Sequence, residues 1–136
     1  MPSGTALSKP LRVLLIDDNE AMLARASAVL TPGCTVVGRA MNGPTALEAA
    51  RTLQPQVIVL DISMPGMSGL EVAVRLRSSG STAAVVFLTV HDEEEFVVAA
   101  RAAGAIGYVV KPRLASDLMV AVREAEAGRP FVSPRA

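Results

Sequence analysis

Short apolar runs alternate along the chain with longer segments of helical period, and this alternation predicts repeated units of a strand and a crossover helix. Leu11 to Asp17 (LRVLLID) is apolar at nearly every position, as a strand buried on both faces must be. A helix is expected over roughly Glu20 to Leu30, closed by Pro32 and Gly33. Cys34 to Ala40 (CTVVGRA) reads as the second strand, and Asn42, Gly43 and Pro44 open a helix that runs to about Leu53. Val57 to Asp61 (VIVLD) is the third strand, and Ser68 with Glu71 forms a capping box for a helix to about Ser79. Ala84 to Thr89 is the fourth strand, and Asp92 with Glu95 three residues on marks a fourth helix ending near Gly104. Ile106 to Val110 is the fifth strand, followed by a last helix from about Leu114 to Ala127 with Gly128 and Pro130 as stop signals.

Strands that alternate with helices pair in parallel, and right-handed crossovers place the helices on both faces of the sheet. The fold class is therefore α/β, a doubly wound five-stranded parallel sheet. Residues 1–10 are expected to form a disordered N-terminal tail, 11–128 one domain, and 129–136 a C-terminal tail or the start of a linker.

Composition narrows the function classes. The 136 residues suffice for one domain, and 51% hydrophobic against 19% charged residues supplies its core without disulfide or metal staples. Thirteen basic residues balance thirteen acidic ones and are scattered, so this domain is not expected to bind nucleic acid directly. Cys34 has no cysteine partner, the first ten residues lack an apolar signal core, and no apolar stretch approaches membrane-spanning length. A soluble cytoplasmic protein that does not engage a membrane is the expectation.

In a doubly wound sheet reactive groups gather at the carboxyl ends of the strands. Asp17 and Asp18 end the first strand, Asp61 the third and Thr89 the fourth, and Lys111 follows the fifth. Three carboxylates on one sheet edge repel one another unless a cation or protons neutralise them, and Mg²⁺ takes such oxygen ligands while keeping several waters. A nucleophilic carboxylate at Asp61, a metal, the Lys111 ammonium and the Thr89 hydroxyl make the set that phosphoryl transfer requires. Taken singly, an Asp-Asp pair is a turn or cap and a Lys-Pro a solvated loop; their joint placement at strand ends carries the functional reading.

The segments VLLIDDNE, VIVLDISMPGMSGLE, FLTVHDEEE and GYVVKP resemble the receiver domain of bacterial response regulators, over a stretch from about Leu11 to Gly128. The resemblance implies a flavodoxin-like strand order 2-1-3-4-5, Asp61 as phosphoacceptor, and Asp18 and Asp61 as direct Mg²⁺ ligands. It also implies that Asp17 supports the metal through water, that the Ser63 backbone carbonyl completes the ligands, and that Thr89 and Lys111 contact the phosphoryl group. Tyr108 occupies the position of the aromatic switch residue, against the plainer reading of a half-buried tyrosine with its hydroxyl in water. Lys111-Pro112 resembles the family's cis peptide. The expected partners are a histidine kinase or phosphotransfer protein docking near the first helix, and a homodimer through the fourth helix, fifth strand and fifth helix.

The wording VHDEEEFVVAARAAGAIGYVVK, ending in EAGRPFVSP, is similar to regulators of the nitrate-regulator type with a helix-turn-helix output. Such a domain is a self-phosphorylating and self-dephosphorylating switch rather than a turnover enzyme. Val90 is bulkier than the small residue many receivers place after the threonine, and is expected to narrow access to Asp61. His91 is expected to be a solvated loop residue. A flavin or nucleotide module would need a phosphate cradle where this chain has DDNE, and an aspartate-nucleophile phosphatase places its nucleophile after the first strand. A receiver that acts without phosphorylation is countered by the complete residue set.

Overall fold

A computed structural model describes residues 9–134; the expected N-terminal tail falls mostly on 1–8, outside the described residues. The elements in chain order are β1 (Leu11–Ile16), α1 (Glu20–Leu30), β2 (Cys34–Ala40), α2 (Gly43–Leu53), β3 (Val57–Leu60) and α3 (Gly69–Ser78). They continue with β4 (Ala84–Thr89), α4 (Glu94–Ala102), β5 (Gly107–Val110), a single 3-10 turn (Lys111–Arg113), α5 (Leu114–Glu126) and β6 (Phe131–Val132). The strands form one parallel sheet in the order β2-β1-β3-β4-β5-β6.

The order 2-1-3-4-5 is as expected, but the sheet has a sixth strand. The segment after α5 is not a free tail: the Phe131 amide donates to the Ile106 carbonyl at 3.2 Å and the Ser133 amide to the Tyr108 carbonyl at 2.8 Å.

Side-chain alternation explains the continuous apolar runs. Val13, Leu15, Val57, Val59, Val86, Leu88 and Val109 face a core layer shared with α1 and α5. Leu14, Ile16, Ile58, Leu60, Val85, Phe87 and Tyr108 face the opposite layer against α2, α3 and α4. The inner strands β3 and β4 and the C-terminal part of β1 bury both faces, so no polar alternation survives there, whereas the edge strand β2 leaves Thr35 and Arg39 exposed.

Helix starts follow local chemistry. The side chains of Asn19, Asn42 and Ser68 accept from the amides of Met22, Thr45 and Glu71, and Pro44 sits in the first turn of α2. The fourth helix departs from expectation: it begins at Glu94 after Glu93, with no side-chain cap hydrogen bond, because contacts of His91 hold the preceding loop longer. Among the described residues every peptide bond is trans, which corrects the expected cis Lys111-Pro112 bond. Pro112 lies instead in the first turn of the 3-10 segment, where its fixed φ is accommodated.

Candidate functional site

Parallel register sets the site. Ile16 pairs with Leu60, so Asp17 and Asp61 leave adjacent strands side by side; Thr89 pairs with Val110, one residue before Lys111. The backbone holds these exits, with the Asp61 amide donating to the Ile16 carbonyl at 3.0 Å and the Asp17 amide to the Ala40 carbonyl at 3.1 Å. Gly69 backs the acceptor loop closely. Its amide donates to the Ile62 carbonyl at 2.8 Å, and a Cβ there would stand 1.9 Å from the Asp61 carbonyl oxygen.

Asp17 and Asp61 are buried, whereas Asp18 is exposed, and one oxygen from each of the three lies within 4.8 Å of the others. The Lys111 ammonium bridges the buried pair, at 3.0 Å from Asp17 Oδ2 and 3.1 Å from Asp61 Oδ2. The second oxygens are also engaged: Asp17 Oδ1 accepts from the Asn19 amide at 2.9 Å and Asp61 Oδ1 from the Ser63 amide at 3.4 Å.

Burial raises the Asp17 carboxyl above its ordinary value, offset by hydrogen bonds from the Asn19 amide and Lys111, with the Asp61 charge pushing the same way as burial. Burial opposes the charge of Lys111, but hydrogen bonds and charges of Asp17 and Asp61 outweigh it, so its pKa stands above the usual lysine value. One ammonium thus serves two buried carboxylates. Three aspartates against one lysine leave two negative charges on an all-oxygen donor set, one member of which is open to water. That set fits a hard divalent cation that retains part of its hydration.

Around this centre, Thr89 is fully buried at the end of β4, and its Oγ1 accepts from the His91 amide at 3.4 Å. Tyr108 is 3% exposed, and its hydroxyl donates to the His91 carbonyl at 2.7 Å, so the reading that leaves this hydroxyl in water is corrected. Burial, with the charges of Glu93, Asp92 and Asp61, pushes its phenol up to about 12.

His91 is more than a solvated loop residue. Its ring stacks on Phe96 at a centroid distance of 4.1 Å, and its Nε2 lies 2.7 Å from Ser63 Oγ. The sequence holds a signal for this contact, since Ser63 and His91 each stand two residues past a site residue on neighbouring strands, β3 and β4. Val90, directly after Thr89, is 63% exposed.

The strand order, the carboxylate cluster and the lysine bridge together match a known class. The family described as the response regulator receiver domain matches residues 13–123, and this chain belongs to it. The nitrate/nitrite response regulator protein NarL of Escherichia coli strain K12 is 39% identical over 127 residues, covering 92% of this chain and 59% of that protein. The regulator NarP of the same strain is 38% identical over 137 residues, covering 99% of this chain and 62% of its own length. This chain thus spans about three fifths of the curated relatives it matches.

Among solved structures, the signal receiver domain of the putative response regulator NarL from Mycobacterium tuberculosis superposes with a TM-score of 0.85 at 32% identity, covering 90% of this chain and 100% of that one. A LuxR-family two-component response regulator from Aurantimonas sp. gives 0.88 at 30% identity, covering 93% and 91%. No described helix is long and apolar enough to cross a membrane.

Proposed function

We propose that this domain is a phosphorylation switch in which Asp61 accepts a phosphoryl group from a histidine kinase or phosphotransfer protein. The observation that carries this reading is the bridge of Lys111 to Asp17 and Asp61 beside exposed Asp18. An Asp61 oxygen attacks the phosphorus of a phosphohistidine; the phosphorus–nitrogen bond breaks, its electron pair returns to the imidazole, and an acyl phosphate forms on Asp61. Lys111 exchanges its Asp61 contact for a phosphoryl oxygen, and the Thr89 hydroxyl donates to another. Asp18 and Asp61, the Ser63 carbonyl and, through water, Asp17 would hold Mg²⁺, which supplies charge neutralisation at the phosphoryl oxygens. Attack of water on the phosphorus breaks its bond to the Asp61 oxygen, releases inorganic phosphate and returns Asp61 to its carboxylate, so the domain resets itself without being a turnover enzyme.

Thr89 and Tyr108 form the switch. The two meet at the His91 backbone, Thr89 through the amide and Tyr108 through the carbonyl, so movement of the Thr89 hydroxyl toward a phosphoryl group changes the surface of α4, β5 and α5. In the whole protein this surface would form a homodimer contact and govern a helix-turn-helix DNA-binding segment, acting on transcription in the cytoplasm. Similarity to the nitrate/nitrite regulators supports that output. Receiver domain limits are proposed at 11–128, with the β6 segment fastened to the domain.

Fluorine NMR with beryllofluoride tests the site. Bound fluoride resonances are expected in wild type with Mg²⁺, and their absence without Mg²⁺ or in Asp61→Asn follows from the ligand set. Resonances of equal strength in Asp61→Asn would contradict Asp61 as acceptor.

A further inference from the structure

Besides the Tyr108 phenol and the Cys34 thiol, five polar side chains are buried among the described residues: Asp17, Asp61, Thr89, Asp117 and Ser133. The first three build the site above. The other two lie outside it and are bonded to each other, Ser133 Oγ donating to Asp117 Oδ2 at 2.8 Å. A buried carboxylate costs free energy unless it is well satisfied, and Asp117 is. Its Oδ2 also accepts from Arg113 Nε at 2.7 Å, and its Oδ1 accepts from Ser116 Oγ at 2.9 Å and Arg113 Nη2 at 3.3 Å.

These contacts straddle Lys111. On its N-terminal side, Ser133 Oγ accepts from the Val110 amide at 3.2 Å while the Ser133 amide donates to the Tyr108 carbonyl at 2.8 Å. On its C-terminal side, Arg113 pairs directly with Asp117. In the turn Lys111–Arg113 only Lys111 is partly buried, while Pro112 and Arg113 are exposed, so apolar packing holds little of it. Yet the ammonium it carries must meet two carboxylates at once, at 3.0 and 3.1 Å.

We propose that Asp117 is a positioning residue for Lys111, clamping the lysine-bearing turn from both sides through Arg113 and through Ser133, the residue directly after β6. This inference rests on the reading of Asp61 as phosphoacceptor. A flexible four-carbon stem reaches many places, and a clamp on its backbone narrows them to the bridge. The strand β6 then has a function beyond covering a sheet edge, since it delivers the Ser133 hydroxyl to the clamp.

The test compares wild type with Ser133→Ala, Asp117→Ala and the shape-preserving Asp117→Asn, using acetyl phosphate as donor and Mg²⁺ alone as a second ligand. Transfer to Asp61 is expected to slow by about tenfold or more in Ser133→Ala and Asp117→Ala, and by less in Asp117→Asn. Mg²⁺ affinity is expected to stay equal or tighten, because a loosened Lys111 competes less for the carboxylates. Faster hydrogen exchange at the Val110 amide accompanies the loss. General loosening of the fold would weaken Mg²⁺ binding and transfer together, and that result overturns the clamp. Unchanged transfer in folded Asp117→Asn and Ser133→Ala overturns it equally. A wild-type protein that takes no phosphoryl group overturns the acceptor reading and the clamp with it, whereas labelled wild type with equally labelled variants sinks the clamp alone.

Discussion

Replacing Lys111 by Met removes the ammonium shared by Asp17 and Asp61 and keeps most of the side-chain volume. The two ion pairs broken by this change are 3.0 and 3.1 Å long, and the lysine side chain is 13% exposed, so the bridge is largely buried. Removing one partner of such a pair costs about 3–5 kcal/mol. Exposed Asp18 keeps one side of the cluster wet, which places the expectation near the lower end. With a urea slope of about 2 kcal/mol per molar, a loss of about 3 kcal/mol lowers the unfolding midpoint by about 1.5 M.

Because Lys111 has a pKa above the ordinary 10.5, its contribution is complete at neutral pH and fades only as pH rises beyond that value. The decisive comparison is a double-mutant cycle with Asp61→Asn in the presence of a chelator. In wild type, Asp61→Asn gives up an ion pair but relieves repulsion with Asp17, so its effect is small. In Lys111→Met the same change removes one of two unpaired buried carboxylates and is stabilising, with a coupling energy of about 2 kcal/mol. Adding Mg²⁺ narrows the gap between Lys111→Met and wild type, since the cation takes over the neutralisation. Additivity of the two substitutions within about 0.5 kcal/mol would refute the shared-ammonium account.

Three further predictions concern the surroundings of the site. Tyr108 is the sole tyrosine in a chain without tryptophan, so an ultraviolet titration reads it alone, with a midpoint expected at about 12; a midpoint near 10 in the native state would deny its burial. The raised phenol pKa gives stability that is lost as pH climbs from 10 toward 12, and Tyr108→Phe abolishes that alkaline limb while costing about 1 kcal/mol for the bond to the His91 carbonyl. Asp117 is held below its usual 3.8, chiefly by the Arg113 hydrogen bond, so its stabilisation is present above that pH and lost as pH falls through the lower folded value. Urea unfolding of wild type and Asp117→Asn should therefore converge on acidification below 3.8, and a constant gap would contradict the assignment. Gly69→Ala forces a Cβ against the Asp61 carbonyl oxygen, a backbone atom that cannot swing aside, so a loss of about 3 kcal/mol and weaker beryllofluoride binding are expected.

The sheet is legible because strands buried on both faces leave unbroken apolar runs, and the site is legible because those runs end in Asp17, Asp61 and Thr89. What stays hidden depends on long-range contacts. Phe131–Val132 lies between Pro130 and Pro134 and is too short to show any periodicity; it becomes a strand through its pairing with β5 and the bond from Ser133 to Asp117, sixteen residues apart. The same holds for the start of α4, where Asp92 looks a suitable cap but the loop is tied down by His91. His91 reads as solvated because its partners Ser63 and Phe96 come from two different elements of the fold. The Lys111-Pro112 bond differs for another reason: the family resemblance implies cis, whereas here the proline serves the 3-10 turn in trans.

The central claim is that Asp61 takes a phosphoryl group with the help of the surrounding aspartates and Lys111. Intact-protein mass after incubation with acetyl phosphate addresses it directly, with and without Mg²⁺, on wild type and Asp61→Asn. The account predicts one phosphoryl adduct on wild type that requires Mg²⁺, is released by hydroxylamine as an acyl phosphate must be, and is missing from Asp61→Asn. An adduct of equal extent on Asp61→Asn, or one stable to hydroxylamine, would contradict it.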